Sequence, residues 1–181
     1  MDQERAWIQR ALQGDQAAFG LLVGAYERPV YNLAYRMLGS AEEAEDAAQE
    51  TFLRAYIRLA TYQPERRFVN WLLSIASHYC IDLLRCRARA PQISLDDALP
   101  PVWLTSDEER PDQAVDRKQE KEKVRRILEG LPPDYRAAVV LRYWYEMSYE
   151  EIAATTGSTE SAIKSRLHRA RQMMAEKLQV A

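Results

Sequence analysis

Near the carboxyl end of the chain, Ser161, Lys164, Ser165, Arg166, His168 and Arg169 gather polar and cationic side chains within nine residues. Short polar groups can hydrogen-bond to base edges and cations can reach phosphates, so this set points to duplex DNA read in the major groove. The spacing agrees. At about 100° per residue, Ile163, Leu167, Ala170 and Met174 make one apolar stripe, with Ser161, Ser165, His168 and Gln172 opposite it and Lys164 and Arg169 on its flanks. Upstream, Ala153, Gly157 and Ile163 follow the spacing of a helix-turn-helix. Ala lets two helices cross closely, Gly takes the left-handed turn, and Ile packs the second helix on the first. A cationic face that merely meets solvent is the plain alternative for such a charge run, and the turn ahead of it favours DNA. Arg166 lies nearer the apolar stripe and has Glu150 or Glu151 as alternative partners.

A second set runs through the segment Phe68 to Arg89, where Trp71, His78, Arg85 and Arg87 join an apolar helix to a basic end. The loop ahead of it supplies Tyr62, Arg66 and Arg67. Aromatic rings beside cations suit single-stranded nucleic acid, through stacking and phosphate contact. Trp71 taken alone reads as core, because it shares an apolar face with Ile75, and the loop also reads as an ordinary solvated turn. A third set, Glu42 to Glu50, is acidic. Without histidine neighbours it is a poor metal or catalytic centre, and no cofactor or metal is expected anywhere in the chain. No glycine loop for phosphate and no nucleophile with an adjacent base is present, so the chain does not read as an enzyme.

These sets need helices to hold them. Six Gly and eight Pro in 181 residues leave room for long uninterrupted helices, and there is no glycine between Gly39 and Gly130. Helical spacing recurs in Ala18, Leu21, Leu22 and Ala25, in Phe52, Ala55, Tyr56 and Leu59, and in Trp71, Leu72, Ile75 and Ala76. Ser40 to Glu43 and Ser148 to Glu151 have the form of capping boxes, so helices are predicted to start near Ala41 and Tyr149. A helix is predicted from Asp134 to Tyr145 with Asp134 as its cap, and another from Ser158 or Thr159 to about Leu178.

The net charge of −2 hides a segregated chain. Residues 1–90 hold 11 basic and 11 acidic groups, 91–120 hold 3 and 8, and 121–181 hold 11 and 8, for nets of 0, −5 and +3. Four of the eight prolines fall in the middle stretch, which reads as an extended linker. The expected fold is therefore all-α: a helical bundle over 1–90, an acidic Pro-containing linker over 91–118, and a helix-turn-helix domain over 119–181. The longest charge-free run, Phe68 to Ile81, has 14 residues, short of the roughly 20 needed for a membrane span. With two cysteines, Cys80 and Cys86, and no secretory leader in Met-Asp-Gln-Glu-Arg, a reducing cytoplasm is expected.

Taken together, four segments resemble the extracytoplasmic-function group of bacterial sigma factors. They are Glu43-Ala-Glu-Asp46-Ala-Ala-Gln49-Glu50-Thr-Phe52-Leu-Arg54-Ala-Tyr56, Trp71-Leu-x-x-Ile75-Ala with Asp82 and Arg85, Leu131-Pro-Pro, and Ala162-Ile-Lys164-Ser-Arg166-Leu-His168-Arg-Ala-Arg171. The resemblance implies that Asp46, Gln49, Glu50 and Phe52 dock on the β′ clamp helices of core RNA polymerase. It implies that Tyr62, Arg66, Arg67, Trp71, His78, Arg85 and Arg87 capture and melt the minus-ten promoter element. It further implies that Ser161, Lys164, Ser165, Arg166, His168 and Arg169 read the minus-thirty-five element, that the helix from Asp134 meets the β flap, and that an anti-sigma protein is a partner. Ser77, His78 and Cys86 depart from residues frequent in the family at these positions, which bears on minus-ten preference. The alternative is a two-domain helix-turn-helix regulator that does not engage polymerase.

Overall fold

The computed structural model describes residues 2–89, 120 and 122–180, and their regular structure is helical throughout. The linker expected over 91–118 lies outside the described residues. A first group of helices comprises α1 (Asp2–Leu12), α2 (Gln16–Leu38), α3 (Ala41–Arg58) and α4 (Phe68–Arg89), with a 3₁₀ turn at Leu59–Thr61. A second comprises α5 over 122–129, α6 (Pro133–Trp144), α7 (Tyr149–Thr156) and α8 (Glu160–Val180).

Local chemistry sets the boundaries. Asp15 caps α2 by accepting from the Ala18 amide at 3.0 Å, and Arg10 donates to the same carboxylate. The amide and then the guanidinium hold that carboxyl below its ordinary value. Gly39 ends α2 with φ of 81°, a left-handed conformation that glycine adopts without strain. α3 does start after Ser40, whose hydroxyl accepts from the Glu43 amide at 3.4 Å. The expected reciprocal bond is replaced, because the Glu43 carboxylate pairs with Arg87 of α4. A guanidinium is the stronger partner for a carboxylate than a neutral backbone amide. At α7 the box is complete, with Ser148 and Glu151 bonded both ways, and Gly157 closes the helix with φ of 62°.

Two expectations about faces are corrected. On α2, Ala18 and Leu22 are buried, but Leu21 is 46% exposed and Ala25 is exposed; the inner face continues through Val30, Leu33, Ala34 and Met37. α6 begins at Pro133 behind Pro132 and has no side-chain cap. Asp134 faces Arg85 of α4 instead.

Arg136 to Leu141 form an unbroken buried run in α6. A run buried around more than one full turn must be covered on all sides. α7 and α8 pack on one side of α6, and α2 and α4 on the other, so the two groups share a single buried interior. Phe68, Leu72 and Leu73 of α4 and Leu141, Ile152 and Ile163 of the second group are fully buried within it.

Candidate nucleic-acid interface

α8 places its predicted residues as the periodicity requires. Ile163, Leu167 and Ala170 are at most 2% exposed and Met174 is half-buried. Ser161, Lys164, Ser165, His168 and Arg169 are exposed on the other side. Thr159 is the cap, accepting from the Ala162 amide at 3.2 Å. Lys164 pairs with Glu160 at 2.8 Å and lies 5.9 Å from the Tyr149 ring. The hydrogen bond to Glu160 raises its pKa, so the ammonium stays charged. Arg166 departs from the set: it is half-buried and donates to the Ser158 hydroxyl at 2.7 Å, so it braces the turn and meets neither Glu150 nor Glu151.

In the first group, the Tyr62 hydroxyl donates to the Arg66 carbonyl at 2.7 Å, closing the loop before α4. Its ring lies 5.1 Å from Phe68 and 5.6 Å from Trp71. Phe68 is the buried hub of this cluster and Trp71 its half-buried edge, so Trp71 serves both packing and surface. Arg66 and Arg67 are exposed beside it. Trp71 also lines a cleft of about 250 Å³ with Arg54, Arg58, Thr61, Ser74 and His78. His78 bonds through Nδ1 to the Ser74 carbonyl at 2.7 Å. A carbonyl only accepts, so Nδ1 carries the proton in that bond. Arg54 and Arg58 escaped the sequence reading; their signal is two cations one turn apart at the end of α3. Arg85 and Arg87 are exposed at the end of α4, paired with Asp134 and Glu43.

The acidic helix needs one correction. Asp46 and Gln49 are exposed and Glu50 is half-buried, bonded to Arg54 at 2.6 Å. Phe52 is 8% exposed and belongs to the core. It lies about 240° around the helix from Asp46, whereas Leu53 and Ile57 return to within about 20° of it. Those two are 56% and 71% exposed, so the apolar part of the acidic stripe is aliphatic.

The order of these surfaces matches a known arrangement. The family models of sigma-70 region 2 and sigma-70 region 4 match residues 22–90 and 121–174. The chain is 34% identical over 178 residues to the ECF RNA polymerase sigma factor SigW of Bacillus subtilis (strain 168), across 94% of each chain. It is 32% identical over 183 residues to the RNA polymerase sigma-H factor of Pseudomonas aeruginosa, across 98% of this chain and 95% of that one. Among solved structures, CnrH in complex with the cytosolic domain of CnrY matches with a TM-score of 0.71 and 26% identity, over 99% of both chains. The sigma factor RpoE of Bartonella quintana, solved with the anti-sigma factor NepR, shares the fold at a TM-score of 0.68 and 23% identity. With both regions in order and this identity along nearly its whole length, the chain belongs to the ECF RNA polymerase sigma factors, which direct the polymerase to promoters.

Proposed function

We propose that three surfaces divide this work. The stripe of Asp46, Gln49, Leu53 and Ile57 on α3 docks on the β′ clamp helices of core polymerase. The α4 cleft and the Tyr62 to Arg67 loop hold an unstacked minus-ten base, and α8 reads the minus-thirty-five duplex. The observation that carries this reading is that α3 exposes acidic and aliphatic side chains on one face, while its basic end opens on the aromatic cleft of α4. One helix thus separates a protein-docking surface from a nucleic-acid surface. Unstacking a base costs a few kcal/mol, which rings and cations in a cleft can return. Tyr143 and Trp144 of α6 are 54% and 40% exposed and suit a contact with the β flap. The chemistry of initiation then belongs to polymerase, and the chain works where polymerase works, in the cytoplasm. No described helix is long and apolar enough to cross a membrane. The relative solved with an anti-sigma factor supports a protein inhibitor as a further partner.

Run-off transcription with bacterial core polymerase tests this. The wild-type chain is expected to confer initiation from discrete promoters. Leu53→Glu with Ile57→Glu is expected to abolish it together with core binding, leaving the fold intact, because both side chains are exposed. If core polymerase stays inert with the wild-type chain, the rival helix-turn-helix regulator is the better description.

A further inference from the structure

α1 packs on α2, and its later turns are fastened there by apolar contact: Ile8 and Ala11 are buried and Trp7 is half-buried against the same core. Its first turn makes a polar contact instead. Glu4 accepts a hydrogen bond from the Tyr26 hydroxyl of α2. The Tyr26 ring lies 5.6 Å from Phe68, and Phe68 in turn lies 5.1 Å from Tyr62 and 5.4 Å from Trp71. A continuous line of contacts therefore runs from α1 to the rings at the cleft of α4.

Packing alone does not ask for that bond. A phenylalanine ring would fill the place of the Tyr26 ring, whereas a tyrosine hydroxyl drawn out of water needs a partner. Burial first, and then the bond to Glu4, raise the Tyr26 pKa, so the hydroxyl stays a donor. The carboxylate also acts beyond Tyr26. Burial and then the Glu4 charge raise the Tyr62 pKa, Arg5 opposes them, and the Arg67 charge is felt at Tyr26. One anion of α1 thus acts on two tyrosines of the cluster, with cations of α1 and of the Tyr62 to Arg67 loop around it.

We propose that α1 braces the minus-ten surface, with Glu4 as a positioning residue that acts through the Tyr26 hydroxyl and the Phe68 ring to set where Tyr62 and Trp71 stand. This rests on the assignment of α4 and its loop to the minus-ten element. Rings return the cost of unstacking only when they lie against the face of the base, and dispersion falls steeply with a small gap. The placement of the cluster therefore matters as much as its composition. Tyr62 closes the loop on itself through the Arg66 carbonyl, which keeps the loop's shape but does not tie it to the bundle. Phe68 makes that tie from beneath, and in close-packed surroundings it stands where its neighbours let it. Tyr26 is the neighbour on the α2 side, and Glu4 fixes Tyr26.

Run-off transcription by the full chain with core polymerase, from one promoter as duplex and as a template pre-melted over the minus-ten region, tests the brace. Tyr26→Phe keeps the ring and removes the donor; Glu4→Ala removes the acceptor. Each is expected to lower run-off from the duplex roughly fivefold and from the pre-melted template less than about twofold. Glu4→Gln offers an amide oxygen to the same hydroxyl and is expected to restore most of the loss. The double variant, Glu4→Ala with Tyr26→Phe, is expected to lose no more than either single one, because both cut the same bond. Loss of stability alone would lower the two templates alike, and that result overturns the brace. So does an additive double variant, or a Glu4→Gln chain no better than Glu4→Ala. Arg66→Ala with Arg67→Ala, both exposed, reports on the loop itself. If this variant loses duplex run-off selectively while Glu4→Ala does not, the brace fails and the minus-ten assignment stands; if neither does, the assignment fails and the brace with it.

Discussion

α8 and α4 both carry cations along one side, but those side chains are engaged differently within the chain. α8 keeps Ser161, Ser165, His168 and Arg169 in open solvent, and its Lys164 pairs with a neighbour one turn away. α4 has its corresponding groups engaged within the chain: Asn70 with Glu151, Arg85 with Asp134, Arg87 with Glu43 and His78 with Ser74. A helix with an open face can bind duplex as a rigid body. One whose polar groups are already paired must exchange internal partners for external ones, which lowers its affinity. The difference teaches that, under the proposed division of surfaces, the same residue types stand open in one domain and already partnered in the other.

The comparison breaks most severely if α4 loses its support. Phe68 is 1% exposed and touches the rings of Tyr26, Tyr62 and Trp71 at centroid distances of 5.6, 5.1 and 5.4 Å. Phe68→Ala is expected to cost about 3–5 kcal/mol in urea unfolding, because it removes buried area and leaves a cavity under the reading edge. Ser165→Ala on α8, exposed and making no packing contact of that kind, is expected to stay within about 0.5 kcal/mol of wild type. Similar losses for the two would mean that the aromatic cluster does not hold the cleft.

Next in size are the phosphate contacts. Lys164→Ala and Arg169→Ala are each expected to lower the slope of log affinity against log salt by about 0.9 for a minus-thirty-five duplex. Arg85→Ala removes a cation from α4 but also releases Asp134, so its effect on single-strand binding is expected to be smaller than that of either α8 change on the duplex. Anisotropy titrations at several salt concentrations measure all three. An Arg85→Ala loss as large as the Lys164→Ala loss would argue that Asp134 does not occupy Arg85 in solution.

How much of this the chain disclosed without coordinates depends on where partners sit. The α8 face, the Ser148 box and the Gly157 turn are set by neighbours within one or two helical turns, and periodicity alone found them. Phe52 was equally local, yet its place in the apolar run with Ala55 and Leu59 conflicted with a docking role, and burial decided for the core. In the sequence Glu43 and Asp134 read as helix-capping residues because nothing nearby competes for them. Their real partners, Arg87 and Arg85, lie 44 and 49 residues away. Residues 22–90 and 121–174 each carry a recognisable pattern, but the polar pairs that cross between them, above the apolar interior they share, are long-range ones that no spacing rule contains.

Those pairs can be weighed by a double-mutant cycle on Arg85 and Asp134. The exposed geometry predicts a coupling of about 0.2–1 kcal/mol in global stability, falling as salt rises. A coupling above about 2 kcal/mol would mean that the Arg85–Asp134 pair behaves as a buried ion pair and not as the exposed one its geometry describes.

The smallest effect probes the contact between α7 and α4 by acid. Hydrogen bonds from the Ser148 amide, and after it from Asn70, hold the Glu151 carboxyl below its ordinary value of 4.5. Because the folded value is depressed, the native state binds fewer protons than the unfolded chain through this window. The stabilisation is therefore fully present above the ordinary value and is lost as pH falls through the folded one. Glu151→Gln keeps the box but cannot titrate, so the stability difference between wild type and this variant is expected to shrink by a few tenths of a kcal/mol between about pH 7 and about pH 3, in paired urea titrations. Single-strand binding by the variant is expected to respond less to the same change in pH. If the difference instead held constant or widened on acidification, the Glu151 carboxylate would not be what joins the turn of the second domain to Asn70 of the first.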